Sequence, residues 1–155
     1  MPAASPTTDR IEKKVTLKAP RARVWRALAD STEFGTWFQM RFEDPFAVGR
    51  TVHGRVLVPG YEHVTAEFQI VSIDPEHYFA YRWHPFAVDP KVDYSGEPTT
   101  LVEFRLEPAG KETVLTVVES GFDRIPAARR AEAYRMNDGG WTAQVQNIAR
   151  HVEAS

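Results

Sequence analysis

Along this chain, hydrophobic residues recur at every second position in some stretches and at every third or fourth in others, and the order of these two rhythms predicts the elements. The segment RIEKKVTLK sets Ile11, Lys13, Val15 and Leu17 against polar neighbours, which predicts a half-buried strand ending before Pro20. In PRARVWRALADS the spacing turns helical, with Val24, Trp25, Leu28 and Ala29 on one side and Pro20 at the first turn, where its missing N–H costs nothing. Asp30 and Ser31 are good caps for a second short helix, which Gly35 is expected to limit, and Trp37, Phe38 and Phe42 then return to the core.

Beyond Pro45 the rhythm is that of strands: RTVHGRVLV, HVTAEFQIVSID, HYFAYRW, TTLVEFRLEP and ETVLTVVES. Phe79, Tyr81 and Trp83 share one face, as do Val102, Phe104 and Leu106, and Leu115 and Val117, which argues an antiparallel sheet covered on one side. DPEH and EPAGKE fit short hairpin connections. HPFAVDPKVDYSGEP is too long for a hairpin loop and is a candidate lid or rim.

From Ala127 to about Glu153, the residues Ala127, Ala131, Tyr134, Asp138, Trp141, Val145, Ile148 and Val152 fall at alternating steps of four and three, a helical stripe. Its middle contains Asn137, Asp138, Gly139 and Gly140. Each helical glycine costs about 1 kcal/mol against alanine, so the pair is expected either to break the helix or to sit where it bends or passes closest to the sheet, with Trp141 turned inward. A sheet with one apolar face needs a cover, and this last helix carries the largest stripe. The expected architecture is therefore a curved antiparallel sheet gripping a long C-terminal helix, with any unfilled space between them forming a cavity.

Composition narrows the function. The 155 residues suit one domain, with 1–9 as a disordered lead-in and 10–155 as the folded unit. A net charge of -2 gives no electrostatic case for nucleic acid, and no apolar run is long enough to insert in a membrane. The chain has no cysteine, which removes disulfides, thiolate metal sites and a cysteine nucleophile, and suits the cytoplasm. The five histidines show no HxH, HxxxH or HExxH spacing, so no metal is expected, and no cofactor is implied. Serine nucleophile and phosphate-loop motifs are absent as well.

The segments VTLKAPRARVWRALADSTEFGTWF, FQIVSIDPEHYFAYRW, TTLVEFRLEPAGKETVLTVVESGF and NDGGWTAQVQNIARHV resemble the Aha1-related family (activator of Hsp90 ATPase homologue, C-terminal domain type) of START-like, SRPBCC proteins in the Bet v 1-like superfamily. The resemblance runs from about Arg10 and rests on AP-x-x-x-V-W-x-A-L, an E-S-G-F strand end and a late G-W helix, in that order. It implies an α+β helix-grip fold of order β-α-α-β6-α with a central cavity. It also implies a range of roles: lipid or polyketide binding, cyclase chemistry, co-chaperone action or stress response.

Candidate chemistry follows from inward positions. Trp37, Phe38, Phe68, Phe79, Tyr81, Trp83, Phe104, Trp141 and Val145 either line a pocket for a small hydrophobic molecule or simply form core. Glu119 follows Leu115 and Val117 in alternation and so points inward, at a cost unless paired or neutralised. It is expected to act as a polar anchor or general acid, to pair with an arginine, or to cap the turn at Gly121. Tyr81 and His84 flank the long loop and are acid/base candidates beside it. A non-enzymatic domain binding a hydrophobic or amphipathic ligand is the favoured reading. A cyclase, isomerase or hydrolase-like enzyme and a chaperone-interacting regulator stand as alternatives. The chain is expected to be a monomer, or a homodimer formed through an exposed edge strand.

Overall fold

The computed structural model describes residues 9–154; the expected lead-in lies outside them except for Asp9, whose carbonyl accepts from the Gly121 and Phe122 N–H groups. In chain order the elements are β1 (Arg10–Leu17), α1 (Arg21–Ala29), α2 (Ser31–Phe38), β2 (Met40–Phe42), β3 (Thr51–Val56), β4 (Thr65–Asp74), β5 (Tyr78–Trp83), β6 (Thr100–Ala109), β7 (Glu112–Ser120) and α3 (Ala127–Glu153). A single 3-10 turn, Phe122–Arg124, precedes α3. Among the described residues seven strands form one antiparallel sheet in the order β1-β7-β6-β5-β4-β3-β2. The fold is the curved sheet and long helix of the α+β helix-grip class.

Strand alternation becomes burial directly. Val102, Phe104 and Leu106 on β6, and Leu115 and Val117 on β7, are buried, as are Phe79 and Tyr81 on β5. One row of paired residues crosses the inner face: Ile11 with Glu119, Glu119 with Val102, Val102 with Tyr81, and Tyr81 with Ile70. The register thus carries a carboxylate into the middle of an apolar row.

The short helices fill the concave face. Asp30 caps α2 by accepting from the Thr32 and Glu33 N–H groups at 2.9 and 3.1 Å. Gly35 does not limit α2, which runs on to Phe38. A Cβ at Gly35 would lie 2.3 Å from the Met40 carbonyl oxygen, so the glycine is there for close approach of the chain returning into β2. That three-residue edge strand gives no rhythm of its own and has no counterpart in the sequence reading. Phe34 on α2 is fully buried among rings of the sheet, with centroids from 5.8 to 6.3 Å away. It occupies the centre of the space the sheet encloses.

The helix α3 is unbroken over 27 residues, about 40 Å at 1.5 Å per residue. Two of the expected roles for its glycines fall away, while Trp141 is turned inward as expected. The helix does not break there, and a Cβ built on Gly139 or Gly140 meets no heavy atom within 4 Å, so no close approach demands them. The C-terminal half of the stripe is buried at Trp141, Ile148 and Val152, whereas Ala127 and Ala131 are exposed and Ala133 is buried instead. A strict alternation of fours and threes has a period of 3.5, and a 3.6-residue helix drifts by about 20° per seven residues against it. Two such repeats back from Trp141, the stripe has turned off the interface.

The far end of α3 is fastened by charge. Glu33 accepts from His151 at 2.8 Å, from Arg23 at 2.7 Å and from Arg26 at 2.7 Å, joining α1, α2 and α3. Partial burial raises its pKa, but the His151 and two arginine hydrogen bonds outweigh this and bring it down to about 2. A depressed carboxyl pKa contributes stability that is complete above the unfolded value near 4.5 and is lost as pH falls towards 2. Glu33→Gln is therefore expected to cost about 1 kcal/mol at neutral pH, and urea unfolding at a series of pH values should show the gap from wild type closing between pH 5 and 3. A gap that stays constant with pH would contradict the assignment.

Candidate functional site

Residue 119 is a glutamate on the inner side of β7, one position before the strand ends, and it is 0% exposed. Among the described residues no arginine reaches it: Arg82 and Arg105 lie on the outward parity of β5 and β6, and none of its hydrogen-bond partners is cationic. Instead four neutral donors converge. Glu119 Oε2 accepts from Trp83 Nε1 at 2.8 Å and Thr100 Oγ1 at 2.5 Å, and Oε1 accepts from Trp141 Nε1 at 2.8 Å. Asn137 Nδ2 donates to both oxygens, at 3.0 and 3.2 Å. Burial pushes the Glu119 carboxyl above its usual range, while the bonds from Thr100, Trp141, Trp83 and Asn137 pull the other way.

Topology explains the convergence. Trp83 and Thr100 are Cα partners across β5 and β6, and Thr100 lies one step diagonally from Glu119. Asn137 and Trp141 are four apart on α3 and so share a face, stacked above the carboxylate. One side chain thereby joins three strands to the long helix. Two of its donors, the indole N–H groups, cannot accept, so the arrangement suits an acceptor.

Beside this cluster lies a cavity of about 290 Å³. Its wall is built from Phe38, Met40, the β3–β4 end of the sheet at Val56, Val58, Tyr61, Val64 and Ala66, the loop residues His84, Phe86, Ala87 and Val88, and α3 residues Met136, Asn137, Gly140, Trp141 and Gln144, with Trp83 between. The long loop after β5 thus forms a wall, as a rim would. Arg129 holds it, donating to the Glu97 carboxylate at 2.7 Å and to the Pro85 carbonyl at 2.8 Å. His84 Nε2 lies 3.1 Å from the Glu97 carbonyl, and His63 Nε2 is 2.8 Å from that of Val88. Phe86, part of this wall, adopts φ 47°, a left-handed conformation that a bulky residue enters only under constraint.

Of the residues singled out from sequence, Phe38, Trp83, His84 and Trp141 line the cavity. Phe68, Phe79 and Tyr81 do not; they pack around Phe34, and Tyr81 stacks on Phe68 at 4.0 Å. Trp37, Phe104 and Val145 surround a gap on the other side of Trp141 that is too narrow for water. Glu119 stands behind the wall, one hydrogen bond from Trp83, Trp141 and Asn137. The Tyr81 hydroxyl is fully buried without a hydrogen-bond partner among the described residues, and burial, with the Glu119 charge, holds it well above the usual phenol range. Neither group touches the cavity, so an acid/base pair of Glu119 and Tyr81 acting on a molecule in it has no geometric basis. Among the described residues no three His, Asp or Glu side chains converge as metal ligands would, and no helix is long and apolar enough to cross a membrane.

The loop was expected as a rim, but Asn137, Thr100 and the wall residues around Tyr61 were not singled out from sequence. Asn137 carried a usable signal, since a polar residue four before an inward tryptophan shares its face. Thr100 did not, because its role depends on strand register.

A family described as activator of Hsp90 ATPase homolog 1-like protein matches residues 18–153. Among solved structures, protein MLL2253 from Mesorhizobium loti is similar over 94% of this chain and 98% of its own, with 19% identity and a TM-score of 0.74. The Aha1 dimer from Colwellia psychrerythraea is similar over 93% and 96%, with 14% identity and a TM-score of 0.70. DynU16, a protein of the dynemicin biosynthetic locus, is similar over 94% of this chain with 23% identity and a TM-score of 0.71, but this chain spans only 47% of it. These identities support likeness of fold. Curated proteins yield no match.

If Glu119 is the tie between sheet and helix, Glu119→Ala strands two indole donors, a hydroxyl and an amide, each worth about 1–3 kcal/mol when left unpaired. Relief of the buried carboxyl offsets part of this, and a net loss of about 3 kcal/mol is expected in urea unfolding, with Glu119→Gln losing less. Stability within about 0.5 kcal/mol of wild type for the alanine variant would contradict the role.

Proposed function

We propose that this chain, which belongs to the activator of Hsp90 ATPase homolog 1-like family, binds a small hydrophobic or amphipathic molecule in the cavity between its sheet and α3. The observation that carries this reading is a space of about 290 Å³ walled mostly by aliphatic and aromatic side chains, with only a few polar groups among them. Binding sites for small molecules have this composition, and their volumes start near this size. Water in so apolar a space finds few hydrogen-bond partners on the walls, so an apolar ligand that displaces it is favoured. The natural-product setting of DynU16 supports a small-molecule ligand. Chaperone regulation is a second reading, supported by the family description and the Colwellia Aha1 likeness, and makes no use of the cavity.

Gly140 of α3 fits the binding reading. Gly140 lines the cavity and has open space where a side chain would project, so its missing side chain is cavity volume. Helix propensity was given up for room.

That exchange can be measured. Gly140→Leu is expected to leave the fold intact, because nothing crowds its Cβ, yet to weaken binding of the neutral fluorescent apolar probe N-phenyl-1-naphthylamine about tenfold or more. Gly139→Ala, off the wall, should stabilise by up to about 1 kcal/mol and leave binding unchanged. Equal probe affinity in wild type and Gly140→Leu would move binding away from this cavity.

A further inference from the structure

The buried carboxylate and the cavity share a wall, and this has a consequence for ligand charge. Glu119 is fully buried, and among the described residues its partners are two indoles, a hydroxyl and an amide, with no lysine, arginine or histidine. Buried carboxylates are ordinarily paired with a cation, since neutral donors solvate the charge without cancelling it. The cavity wall contains no lysine or arginine either.

Its aromatic surface is of the kind that attracts positive charge. Trp83, Trp141 and Phe38 stand with ring centroids 5.8 to 6.1 Å apart and planes tilted by 41° to 52°, like the facets of a bowl. Tyr61 and Phe86 add two more rings to the wall. Ring faces are the negative end of the aromatic quadrupole, and indole binds cations best. Both indoles also donate their N–H to the same carboxylate, and such hydrogen bonds polarise donor and acceptor together, enriching the rings in electron density.

The polar atoms on the wall point the same way. Asn137 spends its N–H groups on Glu119, which leaves Oδ1, with no partner among the described residues, as an acceptor. His84 uses Nε2 towards the Glu97 carbonyl, so that nitrogen carries the proton and Nδ1 is left to accept. Acceptors call for a ligand that donates.

We propose that the cavity selects an organic cation: an apolar or aromatic body carrying a protonated amine, seated against the faces of Trp83 and Trp141, with Glu119 behind them as the counter-charge and Asn137 Oδ1 accepting from the ammonium. This rests on the cavity being a binding site at all. Fatty acids and other carboxylates are disfavoured by the same potential, although they match an apolar pocket equally well in shape.

The test uses three probes on one skeleton at neutral pH, 1-naphthylmethylammonium, 1-naphthylmethanol and 1-naphthoate, titrated into the full chain by calorimetry. The ammonium is expected to bind about tenfold more tightly than the alcohol, and the carboxylate most weakly. Alcohol binding as tight as ammonium, or carboxylate the tightest, overturns the charge selection while leaving the binding reading in place. If none binds at millimolar concentration, both fall. Glu119→Gln should bring the ammonium-to-alcohol ratio towards one, and an unchanged ratio in a folded variant would remove Glu119 from the selection. Should that variant not fold, Trp83→Phe, which keeps a ring but loses the N–H, is expected to lower the ratio, and the three wild-type titrations decide the charge preference without any variant.

Discussion

The constraint on which the rest depends is a single carboxylate with no access to water. Once register carries Glu119 into the apolar row between Ile11 and Val102, its lone pairs must be satisfied by protein groups, because solvent cannot reach them. The groups that answer come from β5, β6 and α3, so the energetic demand of one side chain fixes how the helix lies on the sheet. Hydrophobic burial would hold α3 against the sheet in many positions, since it is non-directional. Hydrogen bonds at 2.8 Å from Trp83 and Trp141 to one carboxylate admit few. Glu33 does the corresponding work at the C-terminal end of α3, near the surface and with charged partners.

The position of the cavity follows from two choices of volume. Phe34 fills the centre of the sheet's concavity and leaves no space for a ligand there. Gly140 and the loop after β5 leave space at the other end, beside Trp83 and Trp141. The two indoles therefore face both ways: their N–H edges bind the carboxylate inside and their surfaces form the wall outside. Structural tie and cavity wall meet in those two residues, and the charge preference we propose for the cavity derives from a tie whose first task is mechanical.

How much of this was legible depended on the range of the interaction. Local rhythm revealed the strands, because burial of Phe104 or Leu115 needs only alternation, and it revealed the inward turn of Glu119 for the same reason. An arginine partner, one of the roles left open for Glu119, is excluded by a parity the sequence already shows, since the alternation that sends Glu119 inward on β7 sends Arg82 and Arg105 outward; the real donors depend on register and on the helix crossing above. The Gly139–Gly140 anomaly was visible as a propensity cost, but whether it served a break, a contact or a void required knowing what lay opposite. Ring positions were read correctly as inward, yet which rings line space and which fill it is decided by Phe34, whose importance no periodicity announces.

The central claim, that Trp83 and Trp141 are locked by donation to Glu119, can be read atom by atom from indole Nε1–H exchange into deuterated water by NMR. Trp37, whose Nε1 donates to the Ala27 carbonyl at 2.8 Å, serves as the protected reference, and the half-buried Trp25 as the open one. The account predicts that the Trp83 and Trp141 indole protons exchange as slowly as that of Trp37, through global unfolding. Exchange of either as fast as Trp25 would contradict it.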